Sequence, residues 1–311
     1  MKVSVVVATY DRPTLLAQTL ESLAGQSLAP RDFEVVVVDG TPGVRPTPHR
    51  DGLTYLPVTF ANASAARNLG VEKSRGEIVA FIDDDAEADP HWLQALLEAH
   101  ESSPEVLGVG GRIEVVWPGA RPRWLPPELD SYYSRRDLGD ARKSFDPPDG
   151  PYGANMSVRR ETLEALGGFS TRLSPKGKRL VTGDEIEFFQ RLYEKGGRVI
   201  YEPRALVRHH CLPSRFTRRW VLRRAWGQGV TYAITDDVRS PGTRRIHTGR
   251  SVAGFARATF RSKRALLLDL LRPGARAQGL TRGAVHMALW YGYAFENLRM
   301  ALGRRTGDAE L

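Results

Sequence analysis

The 311-residue chain has a single cysteine, Cys211, which excludes an intramolecular disulfide framework and any multi-cysteine metal site. One thiol fits a reducing compartment. Long apolar runs are also missing. A spanning helix needs about 20 apolar residues. The nearest stretch, Ala284 to Phe295, is about half a span and is interrupted by His286. Near the N-terminus, Val3 to Ala8 is too short for a secretory leader, and Asp11 and Pro13 follow at once. That run predicts a first strand, in a chain that is soluble or peripheral to a membrane. No internal repeat and no low-complexity tract occur. With 41% hydrophobic and 26% charged residues, collagen-like, mucin-like and wholly disordered classes are excluded.

The net charge of +9 is unevenly distributed. Residues 1–207 carry 25 basic and 30 acidic side chains, a net of −5, whereas residues 208–311 carry 20 and 6, a net of +14. An acidic front and a basic tail suggest two functional regions.

Apolar runs at Val3–Ala8, Phe33–Val38, Leu53–Val58 and Glu77–Ile82 read as strands, the unbroken ones covered on both faces. Between them, Pro13 opens a helix with Leu16, Leu20 and Leu23 on one face and Gly25 as its stop. Ser64–Lys73 reads as a second helix, and Asp89-Pro90 as the start of a third. Thr41–Gly52 reads as loop. The alternation predicts an α/β fold with a doubly wound, mostly parallel sheet. Ligands of such sheets sit at the carboxyl ends of strands. Thr9–Arg12, Asp39 and Asp83–Asp85 all fall there. Val106–Val116 predicts further β structure, and Trp117–Gly150, rich in Pro, Arg and Tyr, a long functional flap.

Adjacent carboxylates at Asp83-Asp84-Asp85 repel unless a cation neutralises them; the competing reading is a solvated acidic turn that caps the next helix. Oxygen ligands at a site completed by phosphates suit Mg²⁺ or Mn²⁺. Strand alternation would point Asp83 and Asp85 the same way, so these two can share one ion.

With these residues in place, the chain resembles the family 2 glycosyltransferases, inverting enzymes of the GT-A fold, from Val3 to about Gly229. Val5-Val6-Val7-Ala8-Thr9-Tyr10-Asp11-Arg12-Pro13 resembles the family's opening nucleotide-binding strand and loop, and Val35-Val36-Val37-Val38-Asp39-Gly40 its second strand. Ser64-Ala65-Ala66-Arg67-Asn68-Leu69-Gly70 resembles a helix start whose arginine helps hold the nucleotide. Phe81-Ile82-Asp83-Asp84-Asp85 resembles the metal and diphosphate motif. Gly153-Ala154-Asn155-Met156-Ser157 resembles the acceptor-side loop, and Gly183-Asp184-Glu185 with Phe188, Arg191 and Leu192 the catalytic-acid helix. Val207-Arg208-His209, followed by Arg215 and Gly229, is similar to the later histidine segment. Each motif is weak alone, whereas seven in the right order are specific.

The resemblance implies a metal-dependent transfer of a sugar from a UDP-sugar to a hydroxyl of a glycan or lipid-linked acceptor in cell-surface polysaccharide or glycolipid assembly. It implies donor contacts from Thr9, Tyr10, Arg12, Asp39, Arg67, Asp83 and Asp84, a Mn²⁺ or Mg²⁺ site of Asp83, Asp85 and His209, and an acceptor contact from Asn155. Inverting chemistry needs one base. The family has Glu-Asp where this chain has Asp184-Glu185, and the matching second position is Glu185. A rival reading makes Thr182-Gly183-Asp184-Glu185 a helix capping box, which leaves Asp184 as the base. The expected organisation is a catalytic domain over 1–213, its nucleotide-binding half about 1–116 and its acceptor-side half about 117–213, with a basic helical region over 214–311.

In that tail, Arg215, Arg218, Arg219, Arg223 and Arg224 alternate with Phe216, Trp220, Val221 and Leu222. This pattern suits a membrane surface or packing on the catalytic domain. No nucleic-acid motif accompanies it. The expected location is cytoplasmic, with contact at the inner face of the membrane. Two other classes compete with this reading. A sugar-phosphate nucleotidyltransferase would need a Gly-rich loop with lysine near the N-terminus, which Ala8–Pro13 lacks. A silent nucleotide-sugar binding module would bind without turnover.

Overall fold

The computed structural model describes residues 1–43, 51–174, 181–239 and 276–301. Most of the Thr41–Gly52 loop and much of the basic tail therefore lie outside the described residues. Two compact units are formed. The first comprises Met1–Val116, Tyr133–Thr171 and Asp184–Cys211, and the second Trp117–Tyr132, Arg172–Gly183 and Leu212–Leu311. Within the span expected as the catalytic domain, 1–213, Trp117–Tyr132, Arg172–Gly183 and the last two residues fall in the second unit. The segment expected as a flap divides, with Trp117–Tyr132 in the second unit and the rest in the first.

The first unit is built on one sheet. Its strands are β1 (Val3–Thr9), β2 (Phe33–Asp39), β3 (Leu53–Pro57), β4 (Ile78–Ile82), β5 (Ala86–Ala88), β6 (Val106–Val116), β7 (Lys143–Ser144), β8 (Asn155–Arg159) and β9 (Arg198–His210). The order is β3-β2-β1-β4-β8-β6-β9-β5, with β7 also on β9. Pairing is parallel through β3, β2, β1 and β4. Beyond β4 it is mixed: β8 runs antiparallel to β4 and β6, whereas β6 and β9 are parallel.

The valine-rich β1 shows why an unbroken apolar run makes a central strand. Val3, Val5 and Val7 face a core containing Leu16 and Leu23 of α1 (Pro13–Ala24) and Trp92, Leu93 and Leu96 of α3 (Trp92–Glu101). Val6 faces the other core, with Phe81, Met156, Phe188 and Phe189. Period-two alternation thus feeds two cores at once. Each fully buried valine contributes about 1.5–3 kcal/mol relative to exposure. Helix α2 (Ala63–Lys73) starts at Asn62, whose side chain accepts the Ala65 amide, and packs tightly on β1. A Cβ on its Gly70 would lie 2.3 Å from a Val6 methyl, so only glycine permits that approach. Asp89-Pro90 forms the turn before α3 rather than its first residues. Helices α4 (Arg160–Ala165) and α5 (Asp184–Glu194) complete the unit.

The second unit is dominated by α6 (Arg218–Arg239) and α7 (Arg276–Ala301). They cross at two glycines. A Cβ on Gly229 would lie 1.8 Å from the Leu289 carbonyl oxygen, and one on Gly292 2.1 Å from that of Trp226. Tyr293 Oη donates to Asp236 at 2.6 Å across the same pair.

Candidate active site

Parallel register places the carboxyl ends of β1 and β2 side by side, with Thr9 opposite Asp39. The acidic corner after β4 lies against that edge. Asp84, the middle acid, turns inward. Its carboxylate accepts Thr9 Oγ1 at 2.7 Å and Arg12 Nη1 at 2.8 Å, and its carbonyl accepts Thr19 Oγ1 at 3.1 Å. Burial pushes the Asp84 carboxyl up to about 6, with Arg12 and Thr9 pulling it down and Asp85 and Asp83 adding to the rise. Arg12 Nη1 also reaches Asp85 Oδ2 at 2.9 Å. Thr9, Arg12 and Asp84 thus brace the corner together.

Asp83, Asp85 and His209 bring one ligand atom each within 4.8 Å of one another. His209 Nε2 lies 3.1 Å from Asp85 Oδ1. The shared orientation of the two outer acids does not come from a continued strand. The chain turns over Asp84-Asp85 and re-enters the sheet as β5, which pairs Ala86 with His209. His210 donates its amide to the Asp85 carbonyl and turns its ring away to Glu87, at 2.6 Å. Two carboxylates and an imidazole suit a hard to borderline divalent cation, and Mn²⁺ accepts the imidazole more readily than Mg²⁺ does. The donor set therefore fits the ion expected for it.

A second cluster adjoins the first through one guanidinium. Arg67 of α2 donates from Nη1 to Asp184 Oδ2 at 2.8 Å and from Nη2 to Asp83 Oδ1 at 3.4 Å. Ser64 Oγ donates to the same Asp184 oxygen at 2.8 Å. Gly153 lies flat against Arg67; a Cβ there would sit 2.6 Å from Nη2. Burial opposes the charge on Arg67, but Asp184, Asp83 and Glu185 outweigh it and raise its pKa.

Asp184 is 2% exposed and held by Arg67 and Ser64, whereas Glu185 keeps partial exposure. Burial is the largest cause that pushes the Glu185 carboxyl up, to about 8, followed by the charge of Asp184 and a hydrogen bond shared with it. Helix α5 begins at Asp184. Glu185 is therefore its second residue, one short of the position that a capping box uses.

Asn155 takes a different place from the one its motif implied. It is fully buried at the start of β8. Its Oδ1 accepts Trp92 Nε1 at 2.8 Å, and its Nδ2 donates to the carbonyls of Arg112 and Ala205 at 2.9 and 2.7 Å. The side chain is engaged through both amide atoms as a brace between β6, β8, β9 and α3, and presents none to an acceptor. Tyr10 is 49% exposed at the strand-end loop. Asp39 is buried, accepting the Thr41 amide at 2.8 Å and the Tyr55 hydroxyl.

Sequence reasoning missed Tyr152, beside Glu185, and Arg136, which stacks on that tyrosine. Tyr152 lies within electrostatic reach of Glu185, and Arg136 lies 4.9 Å over the Tyr152 ring. Tyr152 stands one residue before the Gly153 motif, a proximity that could have drawn attention to it. Arg136 had no local signal.

Fold and site together define an α/β architecture with an acidic corner at its strand ends, where Asp83, Asp85 and His209 could hold a metal ion. Comparison with known proteins agrees. The profile described as Glycosyl transferase family 2 matches residues 4–167. A glucosyl-dolichyl phosphate glucuronosyltransferase of Haloferax volcanii is 32% identical over 249 residues, covering 76% of this chain and 78% of the relative. The succinoglycan biosynthesis protein ExoM of Rhizobium meliloti is 28% identical over 246 residues, covering 75% and 74%. Among solved structures, the mannosyltransferase PcManGT from Pyrobaculum calidifontis, in complex with GDP-Man and Mn²⁺, aligns with a TM-score of 0.56 at 20% identity, over 100% of this chain and 76% of that one. The chain belongs to glycosyltransferase family 2, has the GT-A fold and is a glycosyltransferase.

Proposed function

We propose that the protein is a metal-dependent inverting glycosyltransferase that moves a sugar from a UDP-sugar to a hydroxyl of a glycan or lipid-linked acceptor. The observation that carries this reading is the Arg67 bridge. One guanidinium touches both Asp83 of the ligand triad and Asp184, the neighbour of Glu185. A diphosphate site and a proton acceptor are thereby held side by side.

Glu185 is the base. Asp184 is committed to Arg67 and Ser64, and the raised affinity of Glu185 for a proton suits it to take one from a hydroxyl. In a single displacement the acceptor oxygen gives its proton to Glu185 and bonds to the anomeric carbon. The bond from that carbon to the phosphate oxygen breaks, and the nucleoside diphosphate leaves with the electron pair. Asp83, Asp85 and His209 would hold Mn²⁺ or Mg²⁺, which supplies Lewis-acid neutralisation of the leaving diphosphate. Asp39 and Tyr10 lie at the strand ends where the nucleoside would sit. Arg12 and Thr9 act indirectly, by setting the acidic corner.

The relatives' names, one acting on a dolichyl-phosphate glucoside and one in succinoglycan biosynthesis, support a lipid-linked or polymeric acceptor and a place in surface glycan assembly. A nucleotide-sugar donor suits work on the cytoplasmic side of the membrane. The test is a donor screen with Mn²⁺ or Mg²⁺, measuring nucleoside diphosphate release with and without glycan and lipid-linked acceptors. Release from a UDP-sugar that depends on both metal and acceptor is expected. Equal release with the metal chelated, or preference for a different nucleotide, would overturn the corresponding part of the reading.

A further inference from the structure

Helix α7 buries Val285, Tyr293 and Met300, yet carries a second apolar row on its outer side. Leu280, Met287, Tyr291, Phe295 and Leu298 are 52, 38, 51, 51 and 53% exposed, whereas Thr281, Glu296 and Asn297 of the same helix are buried. At 3.6 residues per turn, the five exposed apolar side chains fall within an arc of about 80° and form one continuous stripe. The stripe extends onto α6, where Trp226, 38% exposed, packs its ring 5.5 Å from that of Phe295. Arg219 and Arg223 precede Trp226 by seven and three residues, are exposed and share its face. An apolar stripe bordered by arginines is thus presented by the second unit.

We propose that this face docks on an anionic lipid bilayer, with the α7 stripe in the interfacial layer and Arg219 and Arg223 among the headgroups. Charge selects this occupant. Residues 208–311 carry a net +14, which attracts an anionic leaflet by about 1 kcal/mol for each basic residue near the surface. A second copy seated on the same face would bring Arg219 and Arg223 toward like charges, which opposes it. Among the described residues no helix is long and apolar enough to cross a membrane, so the helix would lie in the interface rather than span it.

The experiment uses the full chain and sedimentation with vesicles of phosphatidylcholine, with or without phosphatidylglycerol. Tighter partitioning onto the phosphatidylglycerol vesicles is expected. Phe295→Ser with Leu298→Ser should weaken it about tenfold or more, because two apolar side chains lose their burial. Arg219→Glu with Arg223→Glu should weaken binding to the phosphatidylglycerol vesicles more than binding to phosphatidylcholine alone. Circular dichroism and thermal unfolding establish that the variants fold. Should the serine pair destabilise the unit, Phe295→Leu with added Leu298→Gln provides a milder loss that must still weaken partitioning. Three results would overturn the proposal: no partitioning onto either vesicle, partitioning unchanged in the serine pair while the fold persists, or a concentration-dependent dimer that this pair converts to monomer.

Discussion

Replacing Glu185 by Gln tests the proton acceptor, the site electrostatics and the stability of the fold together. The raised carboxyl, at about 8, has a definite consequence for rate. A base works only when deprotonated. Burial and the neighbouring Asp184 charge hold the Glu185 carboxyl above the ordinary carboxylate range, so kcat/KM should climb with pH across neutrality as the carboxylate forms. In the Gln variant turnover should fall by about 10²–10⁴-fold while donor binding persists. The sign for stability is the opposite. A carboxyl raised in the fold favours the folded state fully only below the ordinary carboxylate range, and that contribution drains away as pH rises through about 8. Gln stays neutral throughout. Its urea midpoint should therefore hold a growing lead over the parent from mildly acid to alkaline pH. The assays are steady-state nucleoside diphosphate release across pH, isothermal titration with the donor, and urea unfolding at several pH values. Full transfer by the Gln variant would refute the choice of base and move it to Asp184. A flat kcat/KM between about pH 6 and 8 would refute the electrostatic reasoning even if Glu185 were essential.

Three further outcomes follow from the same geometry. Asp85→Ala removes one of three ligand atoms and a partner of both Arg12 and His209, so Mn²⁺ binding measured by electron paramagnetic resonance should be lost; retained affinity would place the ion elsewhere. Arg67→Met leaves Asp184 buried without its main counter-charge, and chemical denaturation should show a loss of about 3–5 kcal/mol; a cost below about 1 kcal/mol would mean that the bridge is not formed. Gly229→Ala forces a methyl group to within 1.8 Å of the Leu289 carbonyl, so the α6–α7 crossing must spread, with a stability cost of about 1–3 kcal/mol or more in thermal unfolding. An unchanged melting temperature would show that the helices do not cross there.

Much of this was legible along the chain. Unbroken valine runs mean strands covered on both faces, because only such a strand hides every side chain, and β1 and β2 are buried almost throughout. Asp83 and Asp85 raised the expectation of a cation site, since adjacent carboxylates at a strand end repel unless compensated. The triad with His209 then joined residues more than 120 positions apart, through a family resemblance and not through any local signal. What the tertiary structure alone decided is how roles are shared among neighbours with the same chemistry. Asp84 looks like its flanking acids in sequence, yet it faces inward to Thr9 and Arg12. Asp184 and Glu185 are adjacent acids, yet only one is captured by Arg67 and Ser64. Asn155 sits in a motif that suggested an acceptor contact, yet its amide ties strands together. Periodicity and charge are properties of short windows and can be read from them. A side chain's partner is set by pairing between distant segments, and burial then determines which carboxylate is braced, which can hold a metal and which remains able to accept a proton.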